Sequence, residues 1–331
     1  MKKILLLVLF STVLIFTNAN AQSSLTELLP NSDGAILIDS NRLFNEAIPQ
    51  IFAGNLKKLA ELNAEIDKIK TETGIDPRQF EEIAIALKSI PNGKGKLNLE
   101  ALVLTKGKYD SQALIGTVKR SIKSYREEKV KDTVVYIFPT KDLKKQNENN
   151  GQSFITKVFG MVTDDLPVEV AVCALDTKTL AFGSLPLIKE VLTTPTKLKT
   201  EIANLLSQKP NAIIRFGFEL PSNLPTFAGS ADKELEETLS SIQQLSGWGD
   251  LTEKGIQVSV NAKADKSDNA QKIEELLETL RILANSFLSA FPDKDRKVFA
   301  KMVNDLKISR SENLVSLNLE ILKEDLGNLI H

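Results

Sequence analysis

The sequence predicts an α+β fold: antiparallel sheets with helices packed on one face, in two related halves arranged in tandem. Three observations predict it. Apolar residues switch repeatedly between the two-residue period of a strand and the 3.6-residue period of a helix. Most strand-like runs alternate or are joined by short turns, which favours hairpins and antiparallel pairing over a doubly wound parallel sheet. Two patterns also recur. "LVLTKGKYDSQALIGTVKRSI" (102–122) corresponds to "VSVNAKADKSDNAQKIEELLETL" (258–280), and "DTVVYIFPTKDL" (132–143) to "ENLVSLNLEILKEDL" (312–326). Such recurrence is the sequence signature of an internal duplication.

The elements follow in order. "AILID" (35–39) reads as a buried strand after a Pro-Asn-Ser-Asp-Gly turn. A helical stretch runs from about Leu43 to Thr73, divided by Pro49 and Gly54, and Gly74 stands where a left-handed terminal glycine is expected. Asp76-Pro77-Arg78-Gln79 restarts the chain with a cap and a proline at the first helical position. Strands at 82–87 and 99–105 flank the turn "PNGKGK". Asp110 caps a helix whose apolar face is Leu114, Ile115, Val118 and Ile122. "TVVYIF" (133–138) is a strand, and "KKQNENNGQ" (144–152) reads as a loop tip.

"VEVAVCAL" and "TLAFG" form a hairpin about Asp176-Thr177-Lys178, with Val168, Val170, Val172 and Ala174 on one face and Ala171, Cys173 and Leu175 on the other. With both faces apolar, that strand should be covered on both sides. Helices near 185–192 and 197–206 close the first half, and Lys209-Pro210-Asn211 marks a junction.

In the second half, "AIIRFGFEL" (212–220) is a strand. The pattern then predicts a helix with Leu235, Leu239, Ile242 and Leu245 on one face, with Trp248 plugging its end against the sheet. Ile256, Val258, Val260 and Ala262 alternate along a strand. Asp268 is expected to cap a long helix with one broad apolar stripe: Ile273, Leu276, Leu277, Leu280, Leu283, Ala284 and Phe287. A shorter helix about 294–303 and a hairpin about Ser311-Glu312-Asn313 complete the chain.

Residues 1–21 read as a cleavable signal peptide: Lys2 and Lys3, an apolar run from Leu5 to Phe16, and Ala19-Asn20-Ala21 before the cut. The expected location is the periplasm or the exterior, with no stable membrane span after cleavage. Two α+β domains are expected, 22–208 and 209–331, because the remaining length exceeds what one core usually supports. Without Lys2 and Lys3 the net charge is −3, evenly mixed, which offers no electrostatic basis for holding nucleic acid.

The chemistry-bearing residues are sparse. The one histidine, His331, ends the chain, and Cys173 is the one cysteine. A Ser-His-Asp site, a Cys-His site and a zinc site of histidine and cysteine all lack their parts. The glycine-lysine stretches do not match the spacing of a phosphate-binding loop. Paired carboxylates need no histidine; Asp164-Asp165, Glu219 and Glu81-Glu82 are the candidates, though acids mostly cap helices and solvate surfaces. No catalytic, cofactor-binding or metal-binding residue is assigned. No cation neighbours Cys173 in sequence, so it reads as an inert core thiol.

"LTELLPNSDGAILIDSNRLF", "TGIDPRQFEEIAIAL" and "ALDTKTLAFGS" resemble elements of exported bacterial α+β proteins of unknown function: a Leu-Pro turn, a strand ending in Asp, and a Gly-hydrophobic-Asp-Pro turn. The resemblance implies a fold and an exported location. The functional expectation is a non-enzymatic protein that binds a macromolecular partner or an apolar ligand in the cell envelope. The alternatives are a carboxylate-dependent hydrolase such as a glycosidase, and a periplasmic lipid or lipoprotein carrier.

Overall fold

The computed structural model describes residues 25–91, 97–122, 124–140, 168–193, 197–221, 233–290 and 294–329. The expected signal peptide, the loop at 144–152, Asp164-Asp165 and His331 lie outside the described residues.

Twelve strands form one antiparallel sheet in the order β11-β12-β10-β9-β8-β1-β2-β3-β7-β6-β5-β4. In chain order they are β1 Gly34–Asp39, β2 Phe80–Pro91, β3 Leu97–Gly107, β4 Arg126–Val130, β5 Thr133–Pro139, β6 Glu169–Ala174, β7 Thr179–Gly183, β8 Ile214–Glu219, β9 Ile242–Leu251, β10 Gly255–Ala264, β11 Lys307–Ser311 and β12 Leu314–Leu322. The principal helices are α1 Leu56–Thr73, α2 Ser111–Ser121, α3 Leu185–Thr193, α4 Thr200–Ser207, α5 Lys233–Ser240, α6 Ser267–Ser289, α7 Lys294–Asp305 and α8 Lys323–Leu329. The α+β antiparallel class expected from the hairpin pattern is the one observed.

The sheet meets itself at β1 and β8, which pair antiparallel. Outward from this seam the order reads alike in both directions: β1-β2-β3 one way, β8-β9-β10 the other. Each run is followed by a helix, α2 or α6, and each end of the sheet is a hairpin, β4–β5 or β11–β12. The recurring sequence segments therefore fall on topologically matching elements. The hairpin β6–β7 is the extra piece in the first half.

Local chemistry explains most boundaries. Asn55 accepts the Lys58 N–H at 3.1 Å and starts α1, while Gly74 ends it at φ 69°, its N–H donating to the Lys70 carbonyl. Asp110 accepts the Ala113 N–H at 2.8 Å and starts α2. Pro49 does not break the chain as expected; it follows directly on a π-helical turn within a continuous helical run from 40 to 51, and the break falls at 52–55. Before it, Ser40–Arg42 and a π-helical turn at Leu43–Ala47 lead out of β1. Asp268 does not cap α6; Lys266 stands at the cap, Ser267 opens the helix, and Asp268 sits in the first turn, favourably placed for the helix dipole.

The most consequential difference is β9. The expected helix through Ile242 and Leu245 stops at Ser240, and Trp248 is not a helix plug but a strand residue. Leu245, Gly247, Gly249 and Leu251 share one face of β9, so two of its four apolar places hold glycine and the alternation is hidden. Gly247 is required by space. The Phe216 ring of β8 and the Ser259 carbonyl of β10 occupy the volume a side chain would need.

Helices lie on both faces of the first half. On the back face, Leu37, Ala84, Leu104, Ala181 and Cys173 pack beneath α3, α4 and the turn Leu25–Leu28. On the front, Ile85, Val103, Val172 and Phe182 pack beneath α2. The reason is compositional: β3, β6 and β7 are apolar on both sides, so one helical layer cannot cover them. Ala171 and Cys173 fall in the back cluster and Val170 and Val172 in the front, matching the two-sided burial predicted for β6. Val168 does not follow: β6 begins at Glu169, and Val168, ahead of the strand, is 86% exposed. Each fully buried Leu or Ile in these layers contributes about 1.5–3 kcal/mol.

Candidate binding surface

In-register rows across the sheet show where the coverage fails. One front-face row runs Ile308–Leu317–Val260–Gly247–Phe216–Ile36–Ile85–Val103–Phe182–Val172–Tyr136, spanning eleven strands. It is apolar almost throughout. Ile85, Val103, Phe182 and Val172 are 7, 1, 3 and 2% exposed beneath α2. From Ile36 to Leu317 every side chain larger than glycine is only half-buried. The next row, Leu319–Val258–Gly249–Ile214–Ile38–Ile83, behaves alike, and Ile214 is exposed.

The helix α6 accounts for part of this. Only its N-terminal half, through Ala270, Ile273 and Leu277, packs on the sheet, against Val315, Ala264 and Ile308. The expected stripe continues beyond that contact, where Leu280, Leu283 and Phe287 are 51, 60 and 63% exposed. With Leu276 they recur at i, i+4, i+7 and i+11, about a quarter turn from the buried line. On α7, Phe299 is also exposed. Isolated exposed apolar residues are ordinary, but a row of them on one helix beside a half-covered apolar sheet is the usual mark of an interaction surface. Among the described residues no helix is long and apolar enough to cross a membrane.

A cavity lined by Ile75, Phe80, Leu114, Ile115, Val118, Val172, Leu180 and Phe182 has room for little more than one water and no polar wall. An acyl chain does not fit there.

The sequence-predicted carboxylates are dispersed. Glu219 ends β8 and accepts from the Lys199 ammonium at 3.1 Å. Lys199 also donates to Asp33 at 2.9 Å, bracing the seam between β1 and β8. Burial pushes the Asp33 carboxyl up, but the Lys199 ammonium and the Ser89 N–H together hold it below its usual range. Glu82 lies opposite Asp39 at the other end of β1 and accepts from the Leu25 N–H at 3.4 Å; Glu81 pairs with Lys108 at 3.5 Å. Glu219 and Glu82 are therefore separated by the length of β1, roughly 15–20 Å at the rise of a strand. That is beyond the span of a glycosidase pair, at most about 9.5 Å.

Cys173 is fully buried, and burial alone pushes its thiol up to about 12. Trp248 is half-buried on the back face, with the Lys209 ammonium 5.0 Å from its ring centre. Sequence reasoning identified the α6 stripe but expected it to be core. It missed the open front face, because the strand that completes that face was read as helix.

No family model matches the chain, and no curated protein is matched. Among solved structures it is similar to TP0453. Crystal form I aligns with a TM-score of 0.43 at 10% identity, covering 94% of this chain and 97% of that one. Crystal form IV aligns with a TM-score of 0.43 at 9% identity, covering 92% and 95%.

Proposed function

We propose that this is a non-enzymatic binding protein of the cell envelope that holds an apolar ligand, such as a long acyl chain, on the front of the sheet and the adjoining helix α6. The observation that carries this reading is the exposure of Leu280, Leu283 and Phe287 beside a sheet face whose central strands are half-covered. An extended chain laid along such a surface removes apolar area from water on both partners at roughly 25 cal/mol per Å². Among the described residues the candidate carboxylates stand apart, which does not favour the hydrolase alternative.

The test is titration of the delipidated protein with a fluorescent long-chain fatty acid, compared with a variant carrying Leu283→Glu and Phe287→Glu. Saturable binding that weakens at least tenfold in the variant, with an unchanged urea midpoint, is expected because both side chains are already in water. Equal binding by the two proteins, or none by either, would sink the proposal.

A further inference from the structure

The back of the sheet changes character at the seam. The row behind the one described above runs Asn318–Ser259–Trp248–Arg215–Leu37–Ala84–Leu104–Ala181–Cys173. From Leu37 onward it is apolar and buried. On β8, β9, β10 and β12 it is polar, and so are the rows beside it: Ser246, Asn261 and Ser316 on one side, Asp250, Gln257 and Glu320 on the other. Hydroxyl, amide and guanidinium groups thus surround the single tryptophan of the chain.

Two features of this lattice are not needed by the fold. The Arg215 Nε is buried with no hydrogen-bond partner. The Glu82 and Asp39 carboxylates attract its guanidinium through space, yet burial still lowers its hold on the proton. A buried guanidinium with an unused donor costs stability that an apolar residue would not. The second feature is the indole. It is half-buried in the middle of a polar sheet face, beside the row where Leu205 of α4 meets Gly217 of β8, and the Lys209 side chain above it is itself exposed. A single exposed cation over a ring is a weak, easily displaced contact.

We propose that Trp248, Arg215 and the polar side chains around them form a binding site for a neutral saccharide. A pyranose ring has an apolar C–H face and a rim of hydroxyls. The first stacks on an indole; the second both donates and accepts, which suits the half-buried Asn318 and Asn261 amides and the guanidinium of Arg215. Charge supports a neutral ligand. The charged groups on and beside these rows are Arg42, Lys209, Arg215 and Lys307 against Asp39, Glu82, Asp250 and Glu320, with Arg42 and Asp250 paired at 3.0 Å. Their sum is zero, so neither an anion nor a cation is favoured. This site lies on the opposite face of the sheet from the apolar surface and does not depend on it.

Because Trp248 is the only tryptophan, its fluorescence reports this site directly. The protein would be titrated with α- and β-linked neutral hexasaccharides, an oligogalacturonate and inorganic phosphate. A saturable emission shift with a neutral hexasaccharide is expected, at least tenfold weaker with oligogalacturonate and absent with phosphate. Arg215→Met should lose binding at least tenfold while its urea midpoint rises or holds. Asn318→Ala, a milder change, should weaken binding severalfold by calorimetry, and Lys209→Ala should bind as well or better because the indole is freed. The proposal is overturned by no shift with any neutral sugar, by equal or tighter binding of the acidic sugar, by a shift with phosphate alone, or by wild-type affinity in both Arg215→Met and Asn318→Ala. A lowered midpoint in Arg215→Met, with unchanged sugar binding in Asn318→Ala, would make Arg215 a structural residue and equally overturn it.

Discussion

Gly34 of β1 lies directly beneath the ring of Phe218 on β8, so that a methyl group at position 34 would overlap the ring. Gly34 is glycine for space, not for backbone conformation. Gly34→Ala must therefore displace Phe218 or part the two strands at the seam. Overpacking of this kind costs about 1–3 kcal/mol. A urea titration should show that loss. Because the two residues share one volume, combining Gly34→Ala with Phe218→Ala should cost less than the separate losses added together. Strict additivity would show that the seam tolerates the methyl in another way.

The Lys199 ammonium between Asp33 and Glu219 ties helix α4 to both strands of the seam. All three side chains are about one-third exposed, which limits the effect. Lys199→Met should cost about 1 kcal/mol at neutral pH. Asp33 is held below its ordinary range, so its contribution is complete above the unfolded value near pH 4 and fades as pH falls through the lower folded value. The gap in urea midpoint between wild type and Lys199→Met should accordingly narrow below about pH 4. A gap that is constant from pH 6 to pH 3 would assign the loss to packing.

Cys173 sits at the end of the back-face row with no cation beside it, its thiol pushed up to about 12 by burial. The thiolate is the reactive form. A thiol reagent at pH 8 should label the native protein no faster than it unfolds, and label it quickly in denaturant. Rapid native labelling would mean that β6 and β7 open locally.

Helix α2 begins at Asp110, which accepts the Ala113 N–H, and among the described residues this helix packs on the front of β3, β6 and β7. Asp110→Ala removes that bond and should cost about 1 kcal/mol. The same urea assay checks it, and hydrogen exchange should show faster opening of α2 first.

Elements with a short-range cause were legible in the chain. The Gly74 stop, the Asp76 and Asp110 caps and the tight hairpins β6–β7 and β11–β12 are each fixed by a few adjacent residues. β9 was not, because Leu235, Leu239, Ile242 and Leu245 fit a helix spacing, and the strand is selected by partners distant in sequence, Phe216 and Ser259, which demand glycine at 247. For the same reason the α6 stripe looked like core. Its spacing sets which side chains share a face, and nothing local says whether the sheet reaches far enough to cover them.

The sequence by itself determined the class of fold, most of the caps and turns, the two-sided burial of β6 and the burial of its thiol. These follow from periodicity, capping and composition, which act over a few residues. Only the tertiary structure decided that the halves join through β1 and β8 into one sheet, that Glu219 and Glu82 stand at opposite ends of it, and that Trp248 and Arg215 are neighbours. Those relations depend on which strands pair and in which register, and register brings together residues that the chain keeps far apart.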